Sequence, residues 1–156
     1  MDALLSAVAE RLMASSLTLS TAESCTGGWL GQALTSVSGS SQWYEGGVIS
    51  YSNRVKHTVL QVPESSLATH GAVSEAVALA MASGVQSVMS TSVSVATTGV
   101  AGPTGGSPDK PVGTVWIAWR MHQTSTAKCF LFDGNREQIR RQTVEAALAG
   151  LLQRMN

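Results

Sequence analysis

The feature that most restricts the fold is an alternation of strand-like and helix-like runs. Three short β-prone stretches, LTLSTA from Leu17, VISYS from Val48 and VSVATTG from Val93, are separated by segments with helical signals. Ahead of the first, Leu4, Leu5, Val8 and Leu12 recur at three and four residues, the spacing of an amphipathic helix. After it, TGGWLGQALTSV reads as a helix and SGSSQWYEGG as a loop. Past the second strand, Asn53 is placed to cap a short helix through RVKHTVL, and Pro63 interrupts that helix. A turn or short helix then runs to Gly71, and Ser74 is placed to cap SEAVALAMASGVQSVM. TVWIAWRM and AKCFLF read as two more strands, joined by a hairpin around HQTS. Asn135 and Gln138 fit a capping box that opens a final helix, with Ile139, Val144, Ala147 and Leu151 on its apolar face.

The resulting order, α-β-α-β-α-α-β-β-β-α, predicts an α/β fold. It is a three-layer α/β/α sandwich with a mixed, mostly parallel sheet of about five strands. The terminal hairpin demands at least one antiparallel pair. No repeat or linker is visible, and 156 residues suit one domain spanning 1–156. Ligands of open α/β sheets gather at the carboxyl ends of strands. Three polar stretches follow strand ends here, ESCTGG, YSNRVK and TTGVAGPTGG, and the fold predicts that they converge.

Composition narrows the partners. Ten basic residues balance ten acidic ones, which removes the electrostatic footprint of a nucleic-acid or anionic-membrane binder. A small anion needs only a local site. The two cysteines, Cys25 and Cys129, lie far apart and no Cys/His cluster occurs, so no disulfide framework, metal or cofactor is expected. The first residues carry Asp2, Glu10 and Arg11 and lack the pattern of a signal peptide, and no run reaches the length of a membrane span. The expected location is the cytoplasm.

TAESCTGG puts two candidate nucleophiles, Ser24 and Cys25, side by side in a strand-to-helix turn. A serine needs a base, and none of His57, His70 and His122 imposes a Ser–His–Asp arrangement. Of the three lysines, Lys56 follows a strand end in an uncharged neighbourhood, where desolvation would suit it as a base. The backbone N–H groups of Thr26 and Gly27 are candidate oxyanion donors. Each feature also has an ordinary reading: Ser24 or Thr26 as a helix cap, Cys25 as a small buried hydrophobe, Lys56 as an exposed helix lysine, Glu23 as a solvated loop acid. The loop from Gly99 to Gly113 is long and rich in glycine and proline, yet matches neither G-x-G-x-x-G nor GxxxxGK[ST]. Arg140 and Arg141 are either a bidentate phosphate contact or solvated helix charges.

Taken together, TAESCTGGWLGQALTSVSGSS, GGVISYSNRVKHTVLQV, HGAVSE, TTGVAGPTGGSPDKPVGTVWIAW and REQIRRQTVEAAL resemble the CinA C-terminal domain family. They are most similar to its stand-alone nicotinamide-nucleotide amidohydrolases, and the resemblance covers nearly the whole chain. It implies hydrolysis of the carboxamide of nicotinamide mononucleotide (NMN) to nicotinic acid mononucleotide and ammonia, in pyridine nucleotide recycling. It also implies Ser24 as nucleophile, Lys56 as base and Tyr51 as a further catalytic residue, with Cys25 as packing. Glu23, Thr98 (or its neighbour Thr97), Gly99, Gly102, Gly105 and Arg140 (or Arg141) would contact substrate. A homodimer is a reasonable expectation for a small enzyme of this kind. Two other readings stay open: an inactive nucleotide- or protein-binding module, and an amidase for another small carboxamide.

Overall fold

A computed structural model describes all 156 residues. Six helices and five strands follow one another as α1 (Asp2–Ala14), β1 (Leu19–Glu23), α2 (Trp29–Thr35), β2 (Tyr44–Ile49), α3 (Asn53–Thr58), α4 (Glu64–His70), α5 (Glu75–Met89), β3 (Val93–Gly99), β4 (Thr114–Met121), β5 (Thr124–Leu131) and α6 (Arg136–Arg154). A single 3-10 turn, Ser40–Gln42, precedes β2.

The strands form one sheet in the order β2-β1-β3-β4-β5. β1 pairs in parallel with β2 and with β3, whereas β3–β4 and β4–β5 are antiparallel. Four of the five strands therefore run the same way, and only β4 opposes them. The mixed α/β sandwich expected from the element order is the architecture found.

Side chains alternate across each strand and so divide into two cores. On one face Leu19, Val93, Val95, Val115, Ile117 and Trp119 pack under α1, α2 and α6. On the other, Ala22, Ala96 and Ala118 pack under α5, with Leu60 and Val62 completing the layer. The sheet residues on this second face are small, which lets α5 lie close. Ser94 Oγ donates to the Ala82 carbonyl at 2.6 Å, and a Cβ on Gly84 would fall on the Leu60 carbonyl.

The path through the sheet creates the site. After β1, α2 leads to β2 on one side; from β2, α3–α5 cross the opposite face to reach β3 on the other side of β1. The sheet thus splits its connections around the carboxyl end of β1, the kind of switch point where ligands bind. β5 runs with β1 and delivers the start of α6 to the same edge.

Some boundaries differ from expectation. β2 begins at Tyr44, not Val48, because Gly46 and Gly47 belong to the strand: Gly47 sits where a Cβ would meet the Thr21 and Tyr44 side chains. Ser52, not Asn53, caps α3, accepting from the Val55 amide at 3.1 Å. α2 starts only at Trp29, since Ser24–Gly28 form tight turns. The hairpin needs only two residues, His122 and Gln123, so β5 starts at Thr124. The caps at Ser74 and Asn135–Gln138 are present. No helix is long and apolar enough to cross a membrane.

Gly84→Ala should test the close approach of α5. The added methyl has no space against a fixed carbonyl, and overpacking of this kind costs about 1–3 kcal/mol. Urea unfolding of the variant should show an unfolding free energy lower by that amount, read as a lower midpoint at an unchanged slope.

Candidate active site

Three strand ends and two helix starts meet around a cavity of about 290 Å³. Ser24 and Cys25 enter it from the end of β1, and Tyr51, Asn53 and Lys56 from the β2–α3 segment. Ala72 and Val73 come from the α4–α5 turn, Thr98, Gly99 and Ala101 from the end of β3, and Arg136 from the first turn of α6. Three polar stretches expected to converge do so here.

Lys56 is the one buried charged residue in the cavity wall. It is 1% exposed, yet no carboxylate pairs with it. Its Nζ donates to the Ser50 carbonyl at 2.8 Å and the Tyr51 carbonyl at 3.0 Å, and lies 3.0 Å from Ser24 Oγ. Burial disfavours the ammonium and pulls the Lys56 pKa below the usual lysine range. A neutral amine carries two N–H groups and one lone pair. In that neutral form two carbonyls would match the two donors and leave the lone pair for the Ser24 hydroxyl, whereas the ammonium donates to Ser24 Oγ as well.

The neighbouring thiol is unsuited to attack. Cys25 is buried among apolar residues, and that burial pushes its pKa up to about 12. A thiol reacts as thiolate, so Cys25 stays inert near neutral pH. No histidine lines the cavity. His57 Nδ1 sits 2.9 Å from the Val62 carbonyl, and His122 occupies the hairpin turn.

Glu23 is turned away from the cavity. Its carboxylate accepts from the amides of Gly28, Leu30 and Gly31 at 3.2, 2.8 and 2.9 Å. It is a buried cap for α2, with both oxygens engaged by backbone amides instead of facing the cavity as a substrate contact would. Arg140 is likewise not free for a phosphate: Nε donates to the Cys25 carbonyl at 3.1 Å and Nη2 to the Thr26 carbonyl at 2.9 Å. Arg141 is exposed and pairs with Glu145 one turn on, at 3.5 Å. Gly27 is not a free oxyanion donor, because its amide donates to the Ser24 carbonyl at 3.1 Å. The amides of Cys25 and Thr26 have no acceptor on any other residue.

Between the adjacent threonines, the cavity takes Thr98. Its hydroxyl donates to the Ala72 carbonyl at 2.9 Å and holds the α4–α5 turn against β3. Thr97 points to the opposite face and meets Thr26 Oγ1 at 2.8 Å. Gly99 lines the cavity; Gly102 reaches it only by accepting from Arg136, and Gly105 lies out on the exposed loop. Tyr51 is 63% exposed, and its hydroxyl accepts from Arg136 at 3.3 Å rather than touching Lys56.

Two polar cavity residues are not assigned to the site from the sequence: Arg136, and Asn53, which reads there only as a helix cap. Arg136 donates from Nη1 to the Gly102 carbonyl at 2.7 Å and has no acidic partner. A signal was available. Arg136 and Arg140 are four residues apart, hence on one face of α6, and the face that clamps the Ser24 turn at Arg140 reaches the cavity at Arg136.

Ser24 and the buried, acid-free Lys56 thus lie within hydrogen-bond reach of each other at the switch point of an α/β sandwich. Comparison with known proteins agrees with that architecture. The sequence profile described as CinA C-terminal domain matches residues 1–155. The chain is 53% identical over 135 residues to the nicotinamide-nucleotide amidohydrolase PncC of Pseudomonas putida, covering 86% of this chain and 84% of that protein. It is 44% identical over 149 residues to the PncC of Escherichia coli K12, covering 94% and 89%. A crystal structure of a competence-damaged protein (CinA) superfamily member from Klebsiella pneumoniae superposes with a TM-score of 0.95 at 38% identity, covering 97% of this chain and 95% of that one. The chain belongs to the CinA C-terminal domain family.

Thiol chemistry checks the burial of Cys25. An aromatic disulfide reagent should titrate one thiol, the exposed Cys129, in the native protein, and two after denaturation. Rapid native labelling of Cys25 would contradict the geometry.

Proposed function

We propose that the chain is an amidohydrolase that converts NMN to nicotinic acid mononucleotide and ammonia, a step of pyridine nucleotide recycling. Ser24 is the nucleophile and Lys56 the general base. The observation that carries this reading is the 3.0 Å approach of the buried Lys56 amine to Ser24 Oγ. The names of the PncC relatives from P. putida and E. coli supply the substrate.

Lys56 takes the Ser24 proton as Oγ attacks the carboxamide carbon. The developing oxyanion is met by the unpaired amides of Cys25 and Thr26. The Lys56 ammonium then gives its proton to the departing nitrogen, and ammonia leaves an ester on Ser24. Water attacks that ester, with neutral Lys56 as base, and the returning proton restores the Ser24 hydroxyl. Two carbonyls beside Lys56 hold the amine in place through both proton transfers. Arg136, the one arginine in the cavity wall, takes the substrate phosphate, and Tyr51 and Asn53 border the same space.

Ser24→Ala and Lys56→Ala should each lower kcat/KM for NMN by about 10²–10⁴ or more, while Cys25→Ala keeps substantial activity. Lys56→Arg should not rescue, because a guanidinium stays protonated. Only the neutral amine accepts the serine proton, so the rate should fall as pH drops through the Lys56 pKa. That limb should lie below the usual lysine range, in the direction burial dictates. A pH–rate profile of kcat/KM reads it.

Arg136→Ala should cost NMN about 10- to 150-fold in kcat/KM, the equivalent of one charge-assisted contact of about 1.5–3 kcal/mol. Nicotinamide riboside, which lacks the phosphate, should lose little. Equal losses on both substrates would remove Arg136 from the phosphate site.

A further inference from the structure

Arg140 spans the gap between α6 and the Ser24 turn without touching the cavity. Its guanidinium reaches two consecutive carbonyls, of Cys25 and Thr26, and stacks over the Trp29 ring at 5.5 Å. No carboxylate neutralises it. Gly27, at φ +58°, is left-handed, and a Cβ there would lie 3.3 Å from Arg140 Nη2. The turn is therefore shaped to admit this side chain.

In a trans peptide unit the C=O and the N–H that follows it point in opposite directions. A donor that fixes a carbonyl also fixes the amide on the other side of the same unit. The Cys25 carbonyl shares its unit with the Thr26 amide, and the Ser24 carbonyl shares its unit with the Cys25 amide. Arg140 holds the first carbonyl, and the Gly27 amide holds the second. The two amides so aimed, of Cys25 and Thr26, are the two in the turn that find no acceptor on another residue. Unpaired amides in buried residues are costly unless something accepts from them. Both follow Ser24 directly in the turn, and an oxyanion formed on Ser24 would supply the acceptor they lack.

We infer that Arg140 is a positioning residue for the oxyanion site: it fixes the Cys25–Thr26 peptide and polarises it with an unneutralised positive charge, and it takes no part in binding the substrate phosphate. This rests on the acyl-transfer chemistry proposed above. The positive charge on the carbonyl side draws electron density away from the N–H, and a more acidic N–H binds an anion better than a neutral carbonyl. The contribution thus appears in the transition state and not in ground-state binding.

The test compares Arg140→Ala and Arg140→Lys with wild type and with Arg141→Ala as a surface control. Kinetics are measured on NMN and on nicotinamide riboside. In parallel, mass spectrometry follows phosphonylation of Ser24 by a fluorophosphonate, whose P=O oxygen occupies the oxyanion position and which needs no nucleotide site. Arg140→Ala should lower kcat about 10²-fold on both substrates, with KM for NMN changed by less than about twofold, and should slow Ser24 labelling in proportion. Arg140→Lys keeps the charge but loses the fork, and should recover part of both rates. If Arg140→Ala does not fold, Arg140→Lys decides alone: parallel slowing of turnover and labelling supports the inference. A rise in KM confined to NMN, or labelling at the wild-type rate in a folded variant, overturns it. If wild type labels at Ser24 yet leaves NMN intact, the substrate assignment fails and the labelling series still decides the role of Arg140. If wild type does neither, both fail.

Discussion

Everything at the site depends on a lysine amine kept out of water without a counter-ion. Lys56 is delivered by α3, a helix of six residues that is too short to persist by itself. It persists because its ends are tied down. Ser52 caps its start, the Val62 amide donates to the Lys56 carbonyl at 3.1 Å, and the amine itself reaches back to the two carbonyls after β2. The same contacts that fold the segment aim the amine at Ser24. A carboxylate beside it would favour the ammonium; carbonyls satisfy its hydrogens with less bias, so burial dominates and the amine can be neutral.

The other charges packed around the site, Glu23 and the partly buried Arg140, are bound to backbone. Glu23 and Arg140 look in sequence like substrate contacts, yet both are engaged by backbone. Glu23 gathers the amides at the start of α2, and Arg140 gathers the carbonyls of the turn just before it. Between them, opposite charges grip opposite poles of the same short stretch, which fixes Ser24 on a strand end without a long helix behind it. The groups left facing the cavity are then few: the Ser24 hydroxyl beside Lys56, and Arg136, which is held by the Gly102 carbonyl and the Tyr51 hydroxyl but has no acidic partner. That economy suits a chain with only twenty charged side chains.

Much of this was legible in the sequence. The alternation of strand and helix signals marked the layers and the caps at Ser74 and Asn135 marked two helix starts, whereas for Lys56 the sequence left a buried base and an exposed helix lysine both open. What was not legible was direction. A glutamate next to a nucleophile reads the same whether it faces ligand or backbone, and only the short path of the Ser24–Gly28 turns puts three amides within reach of Glu23. Likewise the pair Arg140–Arg141 drew attention by adjacency, whereas helical spacing ties Arg140 to Arg136. β2 was displaced by Gly46 and Gly47, which weaken strand propensity but are required where Thr21 and Tyr44 crowd the neighbouring strand.

The central claim is that Lys56 is neutral enough near working pH to take a proton from Ser24. The chain has only three lysines, Lys56, Lys110 and Lys128, so NMR of protein labelled with 15N at lysine Nζ, titrated over pH, resolves each amine by itself. The account predicts one resonance, absent in Lys56→Met, that titrates below the usual lysine range and responds to Ser24→Ala. A Lys56 amine that titrates in the ordinary lysine range would contradict it, and the Ser/Lys mechanism with it.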